Sequence, residues 1–173
     1  MMRAALINSA EIDSLLAQMA SAIAAERERH AGEFRLIGLR TGGVWIAQRL
    51  QALLQLEGPV SELDVSFYRD DYQQRGLHAD IQPSQMPLSV DGQQLILVDD
   101  ILHTGRTVRA ALNAVFDLGR PHSVQLAVLV DRGQRQLPIS ADYCGRRIDE
   151  LATDQMLRLR GPEPLELLLE PDA

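Results

Sequence analysis

Four apolar residues, Leu95-Ile96-Leu97-Val98, run into two adjacent carboxylates, Asp99 and Asp100. After Ile101, Leu102 and His103 comes Thr104-Gly105-Arg106-Thr107, which opens a stretch with helical apolar spacing. Neighbouring carboxylates at the end of a buried strand repel and lose hydration, so a ligand that bonds both relieves a cost. Two vicinal hydroxyls, alone or bridged through Mg²⁺, have that chemistry. The Thr-Gly-Arg-Thr turn offers unpaired backbone N–H groups, two hydroxyls and the positive end of a helix dipole, which together make a phosphate cradle. Carboxylates for a diol beside such a cradle describe a site for ribose 5-phosphate.

A second anion-binding turn is legible upstream. Phe34 to Leu39 reads as a short strand closed by Arg40-Thr41-Gly42-Gly43, where paired glycines allow close backbone approach to an anion. Neither turn contains Lys, and none occurs in the chain: all 17 cationic side chains are Arg, against 24 Asp plus Glu, for a net charge of −7. Mechanisms that need a Lys amine, the Schiff base and the Lys-bearing P-loop, are excluded. A guanidinium still suits planar recognition of phosphate.

The elements that must position these turns follow from periodicity. Ile12, Leu15, Leu16, Met19, Ala20 and Ile23 form one helical face behind an Asn8/Glu11 capping box. Val44, Ala47, Leu50 and Leu54 mark a second helix, stopped at Gly58-Pro59. Leu63, Val65 and Phe67 alternate with polar residues as a strand. Leu95–Val98 is a buried strand followed by a polar loop from Asp99 to Gly105. Val108, Ala111, Leu112, Val115 and Phe116 are the inner face of a third helix, and Val124–Val130 a further strand. Strands alternating with helices predict an α/β fold, a mostly parallel sheet with flanking helices and ligands at the carboxyl ends of the strands.

Residues 1–173 read as a single domain, with no repeat and no linker. Residues 69 to 93 lack periodicity and are too many for an idle connection, so a mobile functional loop or a protruding hairpin is expected. The C-terminal segment gives only a loose alternation over Leu165–Glu170. Cys144 is the sole cysteine, read as a small buried hydrophobe in a reducing compartment. With no apolar run of membrane length, a soluble, cytoplasmic protein is expected.

The run Leu95–Thr107 resembles the binding motif of type I phosphoribosyltransferases. Tyr68-Arg69-Asp70-Asp71, Gly119-Arg120-Pro121, Leu129-Val130-Asp131-Arg132-Gly133, Leu137-Pro138-Ile139 and Ala141-Asp142-Tyr143 narrow the resemblance. They are similar to the pyrimidine-operon regulators that double as uracil phosphoribosyltransferases. The resemblance implies that fold with a small hood at about 131–150. It implies that uracil and 5-phosphoribosyl-1-pyrophosphate (PRPP) give UMP and pyrophosphate, with Mg²⁺ as cofactor. Asp99 and Asp100 would hold the ribose hydroxyls and meet the metal indirectly, through ribose or water. Ile101 and Leu102 would belong to the substrate site, His103, Thr104, Gly105, Arg106 and Thr107 would take the 5′-phosphate, and Arg40, Thr41 and Gly42 the pyrophosphate. Arg69, on the long loop, would close over the leaving group with Arg75, and Asp131 and Arg132 would begin the wall that reads the base. Homo-oligomers, dimers or larger, are implied as well.

The family's second activity is UMP-dependent binding of leader RNA from the pyrimidine operon, which needs a basic face. Where attenuating relatives place Thr, Arg and His on the first helix, this chain has Ala17, Gln18 and Ser21, with Asp13 nearby. Arg132, Arg135, Arg146 and Arg147 are the remaining cations available for a patch. The alternative to a salvage enzyme is thus a UMP-sensing attenuator with little catalysis, and the acidic balance weighs against it.

Overall fold

The computed structural model describes residues 5–30, 32–66, 86 and 89–171. Five parallel strands form the main sheet: β1 (Phe34–Leu39), β2 (Ser61–Leu63), β3 (Gln94–Leu102), β4 (Ser123–Asp131) and β5 (Tyr143–Arg147), in the order β2-β1-β3-β4-β5. Helices α1 (Ser9–Arg29), α2 (Gly42–Leu53) and α3 (Arg106–Leu118) flank it. A two-stranded antiparallel sheet of β6 (Gln155–Arg160) and β7 (Glu166–Pro171) completes the described elements.

Strand alternation sorts the core into two layers, one on each face. Ile96, Val98, Ala127 and Leu129 pack with α1, α2 and the inner residues of β6 and β7. Leu95, Leu97, Leu126 and Val128 pack with α3. The small sheet shares the first core through Leu157, Leu159, Leu165 and Leu167, and Ile7 bridges to Leu167.

The capping box forms as read: Glu11 N–H donates to Asn8 Oδ1 at 3.0 Å and Asn8 N–H to Glu11 Oε2 at 3.1 Å. The six buried residues of α1 are those of the apolar stripe. Helix α3 differs from expectation. Ala110 and Ala114 flank Val108, Ala111 and Val115 on the buried face, while Phe116 is 55% exposed. The contact with the sheet is thus made by small and β-branched side chains, and Phe116 falls outside it.

Two strands end elsewhere than their alternation suggests. The strand expected over Leu63, Val65 and Phe67 ends at Leu63, where the Asp64 carboxylate accepts from Ser66 N–H (3.0 Å) and Ser66 Oγ (2.6 Å) in an Asx turn, and Phe67 lies outside the described residues. Conversely, β3 continues through Asp99 and Asp100 to Leu102 where a loop is expected. Of the segment expected as hood, Asp131 closes β4, 132–142 is a loop, and Tyr143–Arg147 is an edge strand of the main sheet. Cys144 on this strand is exposed, not buried.

Candidate active site

The order in which strands are added to the sheet reverses between β1 and β3, from which the chain crosses to β2 on one side and to β4 on the other, and the carboxyl ends of such a pair bound the natural ligand crevice. Both anion-binding turns sit there. Register pairs Gly38 with Val98, so Arg40–Gly43 emerges beside Asp99 and Asp100.

Because the two carboxylates lie within a strand, they point to opposite faces, and pleating relieves their repulsion without a ligand. Each accepts the next backbone N–H: Asp100 N–H to Asp99 Oδ1 and Ile101 N–H to Asp100 Oδ1, both at 2.9 Å. Asp99 is buried, whereas Asp100 is partly exposed towards the α2 side. There it meets Gly42: a Cβ on this residue would lie 2.3 Å from Asp100 Oδ2 and 2.7 Å from its Cγ. The absence of a side chain at Gly42 is what lets the turn reach the carboxylate. The Arg40 guanidinium is engaged with Glu62 of β2 at 2.8 Å, and its backbone N–H donates to Leu63 O at 3.0 Å. Of this turn, Thr41 is exposed.

On the other side of Asp100, Gly105 precedes α3 with φ +92, a left-handed conformation that glycine adopts without strain. No side chain caps this helix, so its first N–H groups are left for another acceptor, apart from Arg106 N–H on Thr104 Oγ1 at 3.2 Å. Ile101 is partly exposed and Leu102 is buried, carrying the turn on a fixed strand end. Thr107 is partly buried in the first turn of α3.

The loop after β4 is seated on this turn. Gln136 and Leu137 N–H groups both reach Thr104 O (3.0 and 3.3 Å), Arg132 N–H donates to Leu102 O (3.0 Å), and Arg106 Nε to Gln136 Oε1 (2.9 Å). His103 Nε2 lies 3.1 Å from Gln134 Oε1, which also accepts from Arg132 Nη2 at 3.4 Å. Arg132 is buried with its Nε unpartnered. Asp131 is buried beneath the loop. Burial pulls its pKa up, but the hydrogen bonds from Arg135 and Gly133 N–H, with the charges of Arg135 and Arg147, outweigh it and hold the carboxyl below its ordinary value.

The structure thus brings together Arg40, Thr41, Gly42, Asp99, Asp100, residues 101–107, Asp131 and Arg132 along one sheet edge. Arg69 and Arg75 lie outside the described residues, as do 69–85 and 87–88 of the expected loop. Val90 is buried, and Gly92 N–H donates to Arg120 O at 2.9 Å, so the far end of that segment is anchored beneath α3. Of the cations read as an RNA patch, two are engaged within the loop and two are solvent-accessible with only loose ion pairs. Arg132 is buried, Arg135 binds Asp131, Arg147 lies 3.4 Å from Asp149 and Arg146 3.8 Å from Glu11. Gln134, Arg135 and Gln136 lie within the segment expected as hood, but the sequence does not show their individual roles; nothing in a loop sequence announces which carbonyls a side chain will reach. Among the described residues, no three His, Cys, Asp or Glu side chains group to hold a metal, and no helix is long and apolar enough to cross a membrane.

Residues 9–156 match the family model described as phosphoribosyl transferase domain. A bifunctional protein PyrR from Pseudomonas fluorescens is 48% identical over 91% of this chain and 94% of its own length. One from Nitrosococcus oceani is 48% identical over 94% and 93%. In architecture the chain is similar to a hypoxanthine-guanine phosphoribosyltransferase from Bacillus anthracis, with TM-score 0.67 and 21% identity over 86% of each chain.

Proposed function

This chain belongs to the phosphoribosyl transferase family, in the branch of the bifunctional PyrR proteins, and from that premise we propose that it transfers the phosphoribosyl group of PRPP to uracil. The observation that carries this reading is the meeting of Gly42, Asp100 and the uncapped start of α3 at one switch point. Two anion turns on either side of a carboxylate suit a ligand with a phosphate at one end, a diol in the middle and a pyrophosphate at the other.

In this reaction the C1–O bond to pyrophosphate breaks, the bond from uracil N1 to C1 forms, and the N1 proton leaves. Positive charge develops at C1 and the sugar ring oxygen as pyrophosphate departs. The chain's task is to hold the reactants in line and stabilise that charge, so no nucleophilic side chain is needed. Asp99 and Asp100 hold the ribose hydroxyls, residues 103–107 the 5′-phosphate, the 40–42 turn the pyrophosphate, and Asp131 and Arg132 begin the wall that receives the base. Arg69 supplies positive charge to the leaving group.

The donor set fits Mg²⁺ held in part by the substrate: among the described residues no third His, Cys, Asp or Glu joins a metal-holding group, and Asp99 and Asp100 would hold the ion indirectly, through ribose or water. When bound, Mg²⁺ neutralises charge on the pyrophosphate. Free nucleotide precursors and a lone thiol fit a cytoplasmic enzyme, which assembles as a homo-oligomer.

Purified protein with PRPP, Mg²⁺ and uracil is expected to form UMP, and Asp100→Asn to lower kcat/KM roughly a hundredfold. No UMP from the parent protein would overturn the assignment.

The relatives' name, bifunctional protein PyrR, supports a second activity, which we read as UMP-dependent binding of leader RNA. We give it the smaller share here, because Ala17, Gln18 and Ser21 are exposed and uncharged on α1, Arg132 is buried and Arg135 is bound to Asp131, which leaves Arg146 and Arg147 as the solvent-accessible members of the cluster. Titration of the cognate leader RNA with and without UMP is expected to show weak binding that salt removes. Nanomolar, UMP-dependent binding would reverse the ranking of the two activities.

A further inference from the structure

Arg135 ties two points of its own segment, Asp131 and Ile139, to the sequence-distant turn that begins at His103. Its Nη2 donates to both carboxylate oxygens of Asp131, at 2.8 and 2.7 Å, at the end of β4. Its Nη1 donates to the backbone carbonyl of His103, where the phosphate turn begins. Its Nε donates to Ile139 O at 2.9 Å, in the stretch whose side chain lies over Gly105. All three nitrogens are in use, and the side chain is about one-fifth exposed. Only a planar fork serves three acceptors in different directions; an ammonium on a flexible stem offers one point of charge.

We propose that Arg135 is a positioning residue of the active site, locking the base-side loop 132–142 onto the turn 103–107 so that the walls for base and 5′-phosphate keep one spacing. Backbone bonds from Gln136 and Leu137 to Thr104 O seat the middle of the loop, but Asp131 and Ile139 are tied to His103 through the guanidinium. Without it, Asp131 stays buried with only Gly133 N–H on its carboxylate and Arg147 as a more distant cation. The loop then loses its register with the phosphate turn, and the two substrates bind at the wrong separation.

The proposal takes its ligands from the transferase reading, so its test includes a measurement that does not depend on the base. In steady state, Arg135→Ala is expected to raise KM for PRPP and for uracil together, each about tenfold. Millimolar guanidinium ion added to that variant should bring both back towards the parent values. Arg135→Lys, which keeps charge and packing and so remains folded if the Ala variant does not, is expected to show the same rise in both KM values. Calorimetric titration with PRPP and Mg²⁺, without uracil, should show the same loss of affinity in both variants. If the parent makes UMP and both variants keep its KM values within twofold, or if Lys restores them, the positioning role is wrong and the transferase reading stands. If the parent binds PRPP but makes no UMP, while the variants lose PRPP affinity, the positioning role holds and the choice of uracil fails. A fall in melting temperature with unchanged KM and PRPP affinity marks a merely structural residue and overturns the proposal.

Discussion

The two walls of the active-site crevice are built from different material. The side we propose for phosphate and pyrophosphate consists of backbone: a glycine pressed against Asp100, a glycine in the left-handed region, and a helix that begins without a side-chain cap. The base side consists of long side chains reaching over the surface, with Asp131, Arg135, Gln134 and Gln136 as its fasteners. A wall made of backbone tolerates few residue types at its key positions, because it depends on the absence of a side chain. A wall made of side chains depends on the partners those chains find, and its positions are individually ordinary.

The sharpest way to break this comparison is to put one methyl group on the backbone wall. In Gly42→Ala the new Cβ would lie 2.3 Å from Asp100 Oδ2 and 3.0 Å from Asp100 Cβ. The group that must yield is a side chain at the crevice, so the fold should survive with little change in melting temperature. Asp100, however, is displaced from the ribose diol. A fall in kcat/KM of roughly a hundredfold is expected, matching Asp100→Asn. The double variant should be scarcely worse than either single one, since both remove the same contact. Full activity in Gly42→Ala, measured as UMP formed from PRPP and uracil, would show that the turn is not set against the carboxylate.

The same contrast explains what was legible. Leu95–Thr107 could be read because a buried strand, two carboxylates and Thr-Gly-Arg-Thr are local constraints, each on its own residue type. So could α1, whose capping box and six-residue stripe are decided within the helix. Asp99 and Asp100 were read as loop residues because polar side chains ordinarily mark a strand's end; here β3 is the central strand, and pairing with β4 carries it to Leu102. Phe116 was misread as core because apolar spacing cannot show that alanines occupy the contact. The β6–β7 hairpin and its bridge from Leu167 to Ile7 join opposite ends of the chain, and local periodicity holds no record of such a pairing. Arg135 was grouped with surface cations because nothing in the sequence says that Asp131, His103 O and Ile139 O converge on it.

A smaller substitution separates two ways in which the backbone wall depends on glycine. At Gly42 the constraint is space; at Gly105 it is conformation. A Cβ on Gly105 would meet Ile139 and Leu137 at 3.4 to 3.5 Å, ordinary contact, but φ is +92. For Ala that region costs about 1–2 kcal/mol, so relaxation of the turn by this amount should weaken PRPP binding about five- to thirtyfold. Gly105→Asn should recover part of the loss despite its larger side chain, because Asn enters the left-handed region more readily. PRPP affinity by calorimetry checks the order Gly105, Asn, Ala. If Asn binds worse than Ala, then crowding against the base-side loop governs this position, and the two walls are less distinct there than the contrast requires.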